Sequence, residues 1–117
     1  MRKIIITGFE PFGPYNFNPS KDLALFYDSK IINGDKKIIG IVLPCTYYGA
    51  FHKLSDAIEK ENPYAIISIG LSSLAKGVRI ETVFKNIMNG KYSDANEYNP
   101  KGDHIDERDG AAKFIGS

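Results

Sequence analysis

Apolar strand-like runs alternating with helix-patterned segments predict an α/β fold, a three-layer α/β/α sandwich around a mostly parallel central sheet. Three observations carry that reading. Lys3 to Thr7 is a β-branched run with no polar face that stops at Gly8, as a strand covered on both sides does. Tyr47, Ala50, Phe51, Leu54, Ala57 and Ile58 recur at the i, i+3, i+4, i+7 spacing of an amphipathic helix. Tyr64 to Ile69 is a second apolar run, ending at Gly70. With 117 residues, 43% of them hydrophobic, the whole of 1–117 reads as a single domain able to bury a core without disulfides.

The elements follow in order. After the first strand, Gly8 to Phe17 is so rich in Gly, Pro and aromatics that neither regular helix nor strand fits, and a long shaped loop is expected. Asn18-Pro19 combines an N-cap oxygen with a preset helical φ, so a short helix begins there, with Leu23, Phe26 and Tyr27 at helical spacing. Lys30 to Ile32, Asn33-Gly34 and Lys36 to Leu43 read as a hairpin, because Asn-Gly tolerates the positive φ of a tight turn. Thr46 is placed to cap the second helix, and Asn62-Pro63 ends it. Val78 to Ile87 reads as a strand whose alternation breaks at Val83-Phe84. Met88 to Gly110 is polar and too long for an ordinary connection, hence either a functional loop or an unordered segment. Ala111, Ala112, Phe114 and Ile115 look like the start of a further helix.

Charge and composition exclude several roles. Fifteen Lys+Arg against 14 Asp+Glu, intermixed, give a formal net charge of +1 and no basic stripe for nucleic acid. No apolar run approaches the ~18 residues of a membrane span, so no membrane partner is expected. One cysteine, Cys45, cannot pair within the chain and suits a reducing compartment, which points to the cytoplasm.

In an α/β sheet the ligand site lies beyond the carboxyl ends of the strands, so the loops at Gly8, Pro44 and Gly70 should converge. Gly8 and Gly13 have the outer spacing of a P-loop, but Pro14-Tyr15 replaces the Lys-Ser/Thr that must reach phosphate and magnesium. Phe9, Phe12, Tyr15 and Phe17 offer aromatic surface for a small flat ligand, although spacing alone favours rings that simply cap the core. Cys45, between a strand and a helix N-terminus, stands where a thiolate is favoured, yet a small semi-buried residue is the better reading. Neither His52, on the helix surface, nor His104, in the polar loop, is an evident base for it. The acidic stretch around Asp103 to Asp109 lacks the calcium-loop order, so no metal is expected. Glu81 is either an outward-facing strand residue or a carboxylate that orients a histidine.

Thr7-Gly8-Phe9-Glu10-Pro11-Phe12-Gly13 followed by Asn18-Pro19-Ser20 resembles the N-terminal signature of the pyroglutamyl peptidases, or pyrrolidone carboxyl peptidases. Val42-Leu43-Pro44, Asn62-Pro63 through Gly70-Leu71, Ile80-Glu81 through Asn86-Ile87, Asp94, and Asp109 to Ala112 resemble later family segments in the same order. The resemblance covers almost all of this chain but only about the first half of a family member. The fold is therefore expected to stop before the family's C-terminal strands and helices.

That resemblance implies a cytosolic homo-oligomeric cysteine peptidase that removes N-terminal pyroglutamate from peptides without metal or organic cofactor. Of its cysteine, histidine and glutamate, only the glutamate is matched, at Glu81; Cys45 does not match the nucleophile. Phe9 and Phe12 would pack on the pyroglutamyl ring, Asn18 would order the loop, and Cys45 and Leu71 would line the wall. Thr82 stands where the family usually has arginine, and Lys91, Ser93 and Ala95 depart from the later loop. On this reading the chain alone is inactive. The alternative is a non-catalytic binding or self-association module derived from the same fold.

Overall fold

A computed structural model of the chain describes residues 1–14 and 16–71 throughout and, beyond them, the strands at 83–85, 87–89, 101–104 and 113–115. These fall into two compact units. The first holds residues 1–45 and 49–71, the second residues 46–48 and 72–117.

The first unit is built on β1 (Arg2–Phe9), α1 (Pro19–Tyr27), β2 (Ile31–Ile32), β3 (Lys36–Leu43), α2 (Tyr47–Glu61) and β4 (Ala65–Ser68). Its sheet has the order β2-β3-β1-β4, with β1 parallel to both β3 and β4 and only the short β2 antiparallel. The chain moves from β1 to β3 on one side and then back across β1 to β4. Right-handed crossovers therefore place α1 and α2 on opposite faces, giving the predicted three layers.

The apolar run predicted as a central strand is central. Ile4, Ile5, Ile6 and Thr7 of β1 are all buried. On one face Ile4, Ile6 and Ile38 enclose Ala24 of α1, with Val42, Ala65 and Ile69 packed around them. On the other, Lys3 pairs with Glu61 of α2 at 2.9 Å, which holds the Glu61 carboxyl below its usual range through that hydrogen bond. The Lys53 ammonium of α2 reaches the Val42 carbonyl at 2.6 Å. The predicted hairpin forms with Asn33 and Gly34 at φ 51 and 73, and Asn62 ends α2 at φ 46 before Pro63.

The helix expected from Asn18-Pro19 forms as α1, but its large apolar residues face outward. Leu23, Phe26 and Tyr27 are exposed, and the helix turns Ser20 and Ala24 inward instead. The cause is a backbone approach too close for large side chains. A Cβ on Gly8 would overlap the Ser20 carbonyl, and one on Gly40 the Ala24 carbonyl. The outward rings satisfy one another, with Phe26 and Tyr27 edge to face at 4.9 Å and the Lys30 ammonium 4.4 Å over Phe26.

The second unit corrects two expectations. Within the stretch read as a long polar loop, β7 (Lys101–His104) pairs antiparallel with β6 (Ile87–Asn89). Where a helix was expected to begin, β8 (Lys113–Ile115) pairs antiparallel with β5 (Val83–Lys85). In that register Phe114 stands opposite Phe84 and Ile115 opposite Val83, a pairing of distant backbone segments that no local periodicity can reveal. Residues 78–82 and 86 of the predicted strand over Val78 to Ile87 lie outside the described residues.

The close α1 approach makes a direct prediction. Gly40→Ala should lower unfolding stability by about 3 kcal/mol, since the clashing partner is backbone and cannot rotate away. Gly70→Ala, with open space around it, should stay within about 0.5 kcal/mol of the parent in the same urea titration.

Candidate functional site

Because β1, β3 and β4 run parallel, their carboxyl ends share one edge of the sheet. The loops after Phe9, Leu43 and Ser68 leave from that edge, where the sequence placed the site. Glu10 is the meeting point of the first two. Its N–H donates to the Leu43 carbonyl at 3.0 Å, and its own carbonyl accepts the Cys45 thiol at 3.1 Å and Asn18 Nδ2 at 3.4 Å. Its carboxylate pairs with Lys21 of α1 at 2.9 Å.

Asn18 is the cap of α1 and is buried, 7% exposed. Its Oδ1 accepts both the Ser20 N–H at 3.0 Å and the Ser20 hydroxyl at 2.7 Å. With two donors on one atom the amide has a single sensible orientation, leaving Nδ2 to donate to Glu10. Ser20 Oγ in turn accepts the Phe9 N–H at 2.9 Å. The predicted site residues Phe9, Asn18 and Cys45 are thus brought together around Glu10. Neither Glu10 nor Ser20 was singled out from sequence, although Ser20 stands directly after the Asn-Pro cap.

The remaining predicted residues are distributed differently. Phe12, 51% exposed, sits two residues beyond Glu10 on the same loop. Leu71, also exposed, follows β4 at the same sheet edge, where the Ile69 N–H donates to the Thr7 carbonyl. Tyr15, Glu81, Thr82 and Asp94 lie outside the described residues. His104 falls on β7 rather than in a loop, and His52 stacks edge-on to Phe51 at 5.4 Å.

The electrostatics of Cys45 depart from the helix-terminus argument. Burial, and then the negative charge of Glu10, push the thiol above its ordinary value of 9.0. Its proton is given to a backbone carbonyl, not to an imidazole. A hydrogen-bond donor at neutral pH is therefore what Cys45 supplies here. Among the described residues no group of three His, Cys, Asp or Glu side chains could hold a metal, and no helix is long and apolar enough to cross a membrane.

Alkylation of Cys45 by iodoacetamide should accordingly keep accelerating beyond pH 9.0 without a plateau below it. Glu10→Gln should move that profile to lower pH, because it removes a charge that disfavours the thiolate. A plateau near neutrality in the parent would show that the helix terminus prevails.

Comparison with known proteins places this geometry. The sequence profile described as pyroglutamyl peptidase matches residues 2–116. The pyrrolidone-carboxylate peptidase of Thermococcus litoralis is 34% identical over 107 residues, covering 92% of this chain and 48% of that protein. The Treponema denticola protein of the same name is 33% identical over 113 residues, covering 97% and 51%. Among solved structures, the pyrrolidone carboxyl peptidase of Thermococcus litoralis superposes with a TM-score of 0.90 at 32% identity, over 98% of this chain and 51% of that one. That of Pyrococcus furiosus gives 0.90 at 27% identity, over 97% and 53%. The chain spans about half the length of the curated relatives it matches.

Proposed function

The chain belongs to the pyroglutamyl peptidase family, and from that membership we propose that it supplies the ring-binding part of a hydrolase acting on N-terminal pyroglutamyl peptides. The observation that carries the reading is the loop of Phe9 to Phe12, held by Glu10 at the carboxyl edge of a parallel sheet. Phe9 and Phe12 are the faces for a flat five-membered lactam, with Asn18 ordering the loop and Cys45 and Leu71 along the wall.

The chemistry of the reading is acyl transfer. A thiolate attacks the pyroglutamyl residue's own α-carbonyl, an imidazole gives a proton to the amine as it leaves, water then hydrolyses the pyroglutamyl thioester to free acid and thiol, and Glu81 orients that imidazole. Cys45 is not the nucleophile in this scheme: its raised thiol and its carbonyl partner give it neither charge nor base. We therefore propose that these 117 residues alone do not turn over substrate, and that no metal or organic cofactor takes part. The single unpaired thiol supports a reducing, cytoplasmic setting.

An oligomer is the second part of the proposal, and β4 favours it. Ile66 and Ile67 point to opposite faces of the sheet and are 41% and 49% exposed, on a strand that borders the four-stranded sheet. Such an edge attracts a further chain. Sedimentation should find a species larger than the 13.0 kDa monomer, and Ile67→Lys should shift it toward the monomer; a monodisperse parent monomer overturns assembly.

Release of a fluorogenic amine from a pyroglutamyl amide tests the catalytic part. No turnover is expected from the purified chain, nor from Cys45→Ser or Glu81→Gln. Turnover lost in both variants would make Cys45 the nucleophile. In ligand-observed NMR the parent should still bind pyroglutamate amide, and Phe9→Ala or Phe12→Ala should weaken that binding by about tenfold.

A further inference from the structure

Parallel strands must stop pairing where they feed a loop, and each stop leaves a backbone N–H to satisfy. On β1 the odd-numbered residues address β4: the carbonyls of Lys3 and Thr7 accept the N–H groups of Tyr64 and Ile69. The Phe9 N–H points the same way, but β4 pairs only as far as Ser68 opposite Thr7. In place of a strand carbonyl, Phe9 meets the hydroxyl of Ser20, which α1 brings in at its first turn and which is only 2% exposed.

From that bond a cycle closes. Phe9 N–H donates to Ser20 Oγ, Ser20 O–H donates to Asn18 Oδ1, and Asn18 Nδ2 donates to the Glu10 carbonyl. The cycle begins and ends on the same two residues, Phe9 and Glu10. Its donors all run in one sense, so each bond polarises the next. The Cys45 thiol enters at the same Glu10 carbonyl and ties in the exit of β3.

We propose that Ser20 is a positioning residue: its hydroxyl replaces the missing strand partner of Phe9 and, through Asn18, sets the Phe9–Glu10 segment that carries the aromatic loop. Its functional meaning rests on the ring-binding reading above; its mechanical content does not. A hydroxyl is required at this position because the group must accept and donate at once. Alanine does neither, while threonine retains both capacities. Lys21, next along the helix, holds only the exposed Glu10 carboxylate and lies outside the cycle.

Amide hydrogen exchange and Cys45 alkylation, both on the intact chain, read the positioning without any ligand. Ser20→Ala should raise Phe9 and Glu10 amide exchange and Cys45 alkylation by about tenfold each, the factor a lost buried hydrogen bond represents. Ser20→Thr should restore most of the protection, and Lys21→Ala should leave the Phe9 and Glu10 amide exchange unchanged. Ile38→Val, a core truncation remote from the loop, controls for a general loss of stability and should move these probes by no more than about twofold. Asn18→Asp serves if Ser20→Ala does not fold. It keeps a capping oxygen for Ser20 but removes the donor to Glu10, so Phe9 should stay protected while Glu10 and Cys45 loosen.

Acceleration confined to Phe9 in Ser20→Ala, with Glu10 and Cys45 unmoved, overturns the proposal, as does equal acceleration in Ile38→Val. Failure of the parent to bind pyroglutamate amide would instead overturn the ring-binding reading and leave the exchange result standing.

Discussion

The close approach of α1 to the sheet is the constraint from which the described fold and site follow. Two helix carbonyls, of Ser20 and Ala24, occupy the space that side chains on Gly8 of β1 and Gly40 of β3 would need. Backbone against backbone permits only small residues between, so the helix turns Ser20 and Ala24 inward and leaves Leu23, Phe26 and Tyr27 outside. Dispersion between close-packed atoms is gained along the contact, at the cost of exposed apolar surface on the far side. The same approach carries a hydroxyl to the last residue of β1, where the sheet has no carbonyl to offer. Fold and site are thus one arrangement: the distance that seats α1 also delivers Ser20 to Phe9.

Where the sequence was legible, a local pattern and a tertiary environment agreed. β1 has no polar face because helices cover both sides of a central parallel strand, and its residues show exactly that composition. Asn33-Gly34 and Asn62-Pro63 announce turns by backbone chemistry that no packing needs to override. Of the α2 stripe, Tyr47, Ala50, Phe51, Leu54 and Ala57 are half-buried as their spacing requires, while Ile58 is exposed. The convergence of loops at the sheet edge follows from strand direction alone.

What was not legible depended on partners distant in sequence. The large apolar residues of α1 mark the helix but not its inward face, because the close contact at Gly8 and Gly40 selects the small ones. Phe114 and Ile115 look like the start of a helical stripe until Phe84 and Val83 are set opposite them. Cys45 is semi-buried, as the better reading of its position has it, but that its burial and the Glu10 carboxylate raise the thiol's pKa depends on a neighbour 35 residues away. Ser20 entered the sequence reading only as the end of the Asn18-Pro19-Ser20 motif, with no role of its own. Its role appears only when the end of β1 and the start of α1 are seen to share a hydroxyl.

An aromatic clamp gains affinity from surface, but only if its rings are already placed, because ordering a loop at the moment of binding costs conformational entropy. A strand could hold Phe9 in place by pairing, yet pairing would carry the sheet on past Thr7. A hydrogen-bond cycle through Ser20 and Asn18 satisfies the same backbone groups while letting β1 depart from β4. Asn18 and Ser20 are buried, whereas Phe12 is 51% exposed. On the proposed reading, polar groups fix position and aromatic faces supply contact, and the division follows from what each can do. A buried hydroxyl is worth its desolvation only when both its donor and its acceptor capacities are used, and at Ser20 both are.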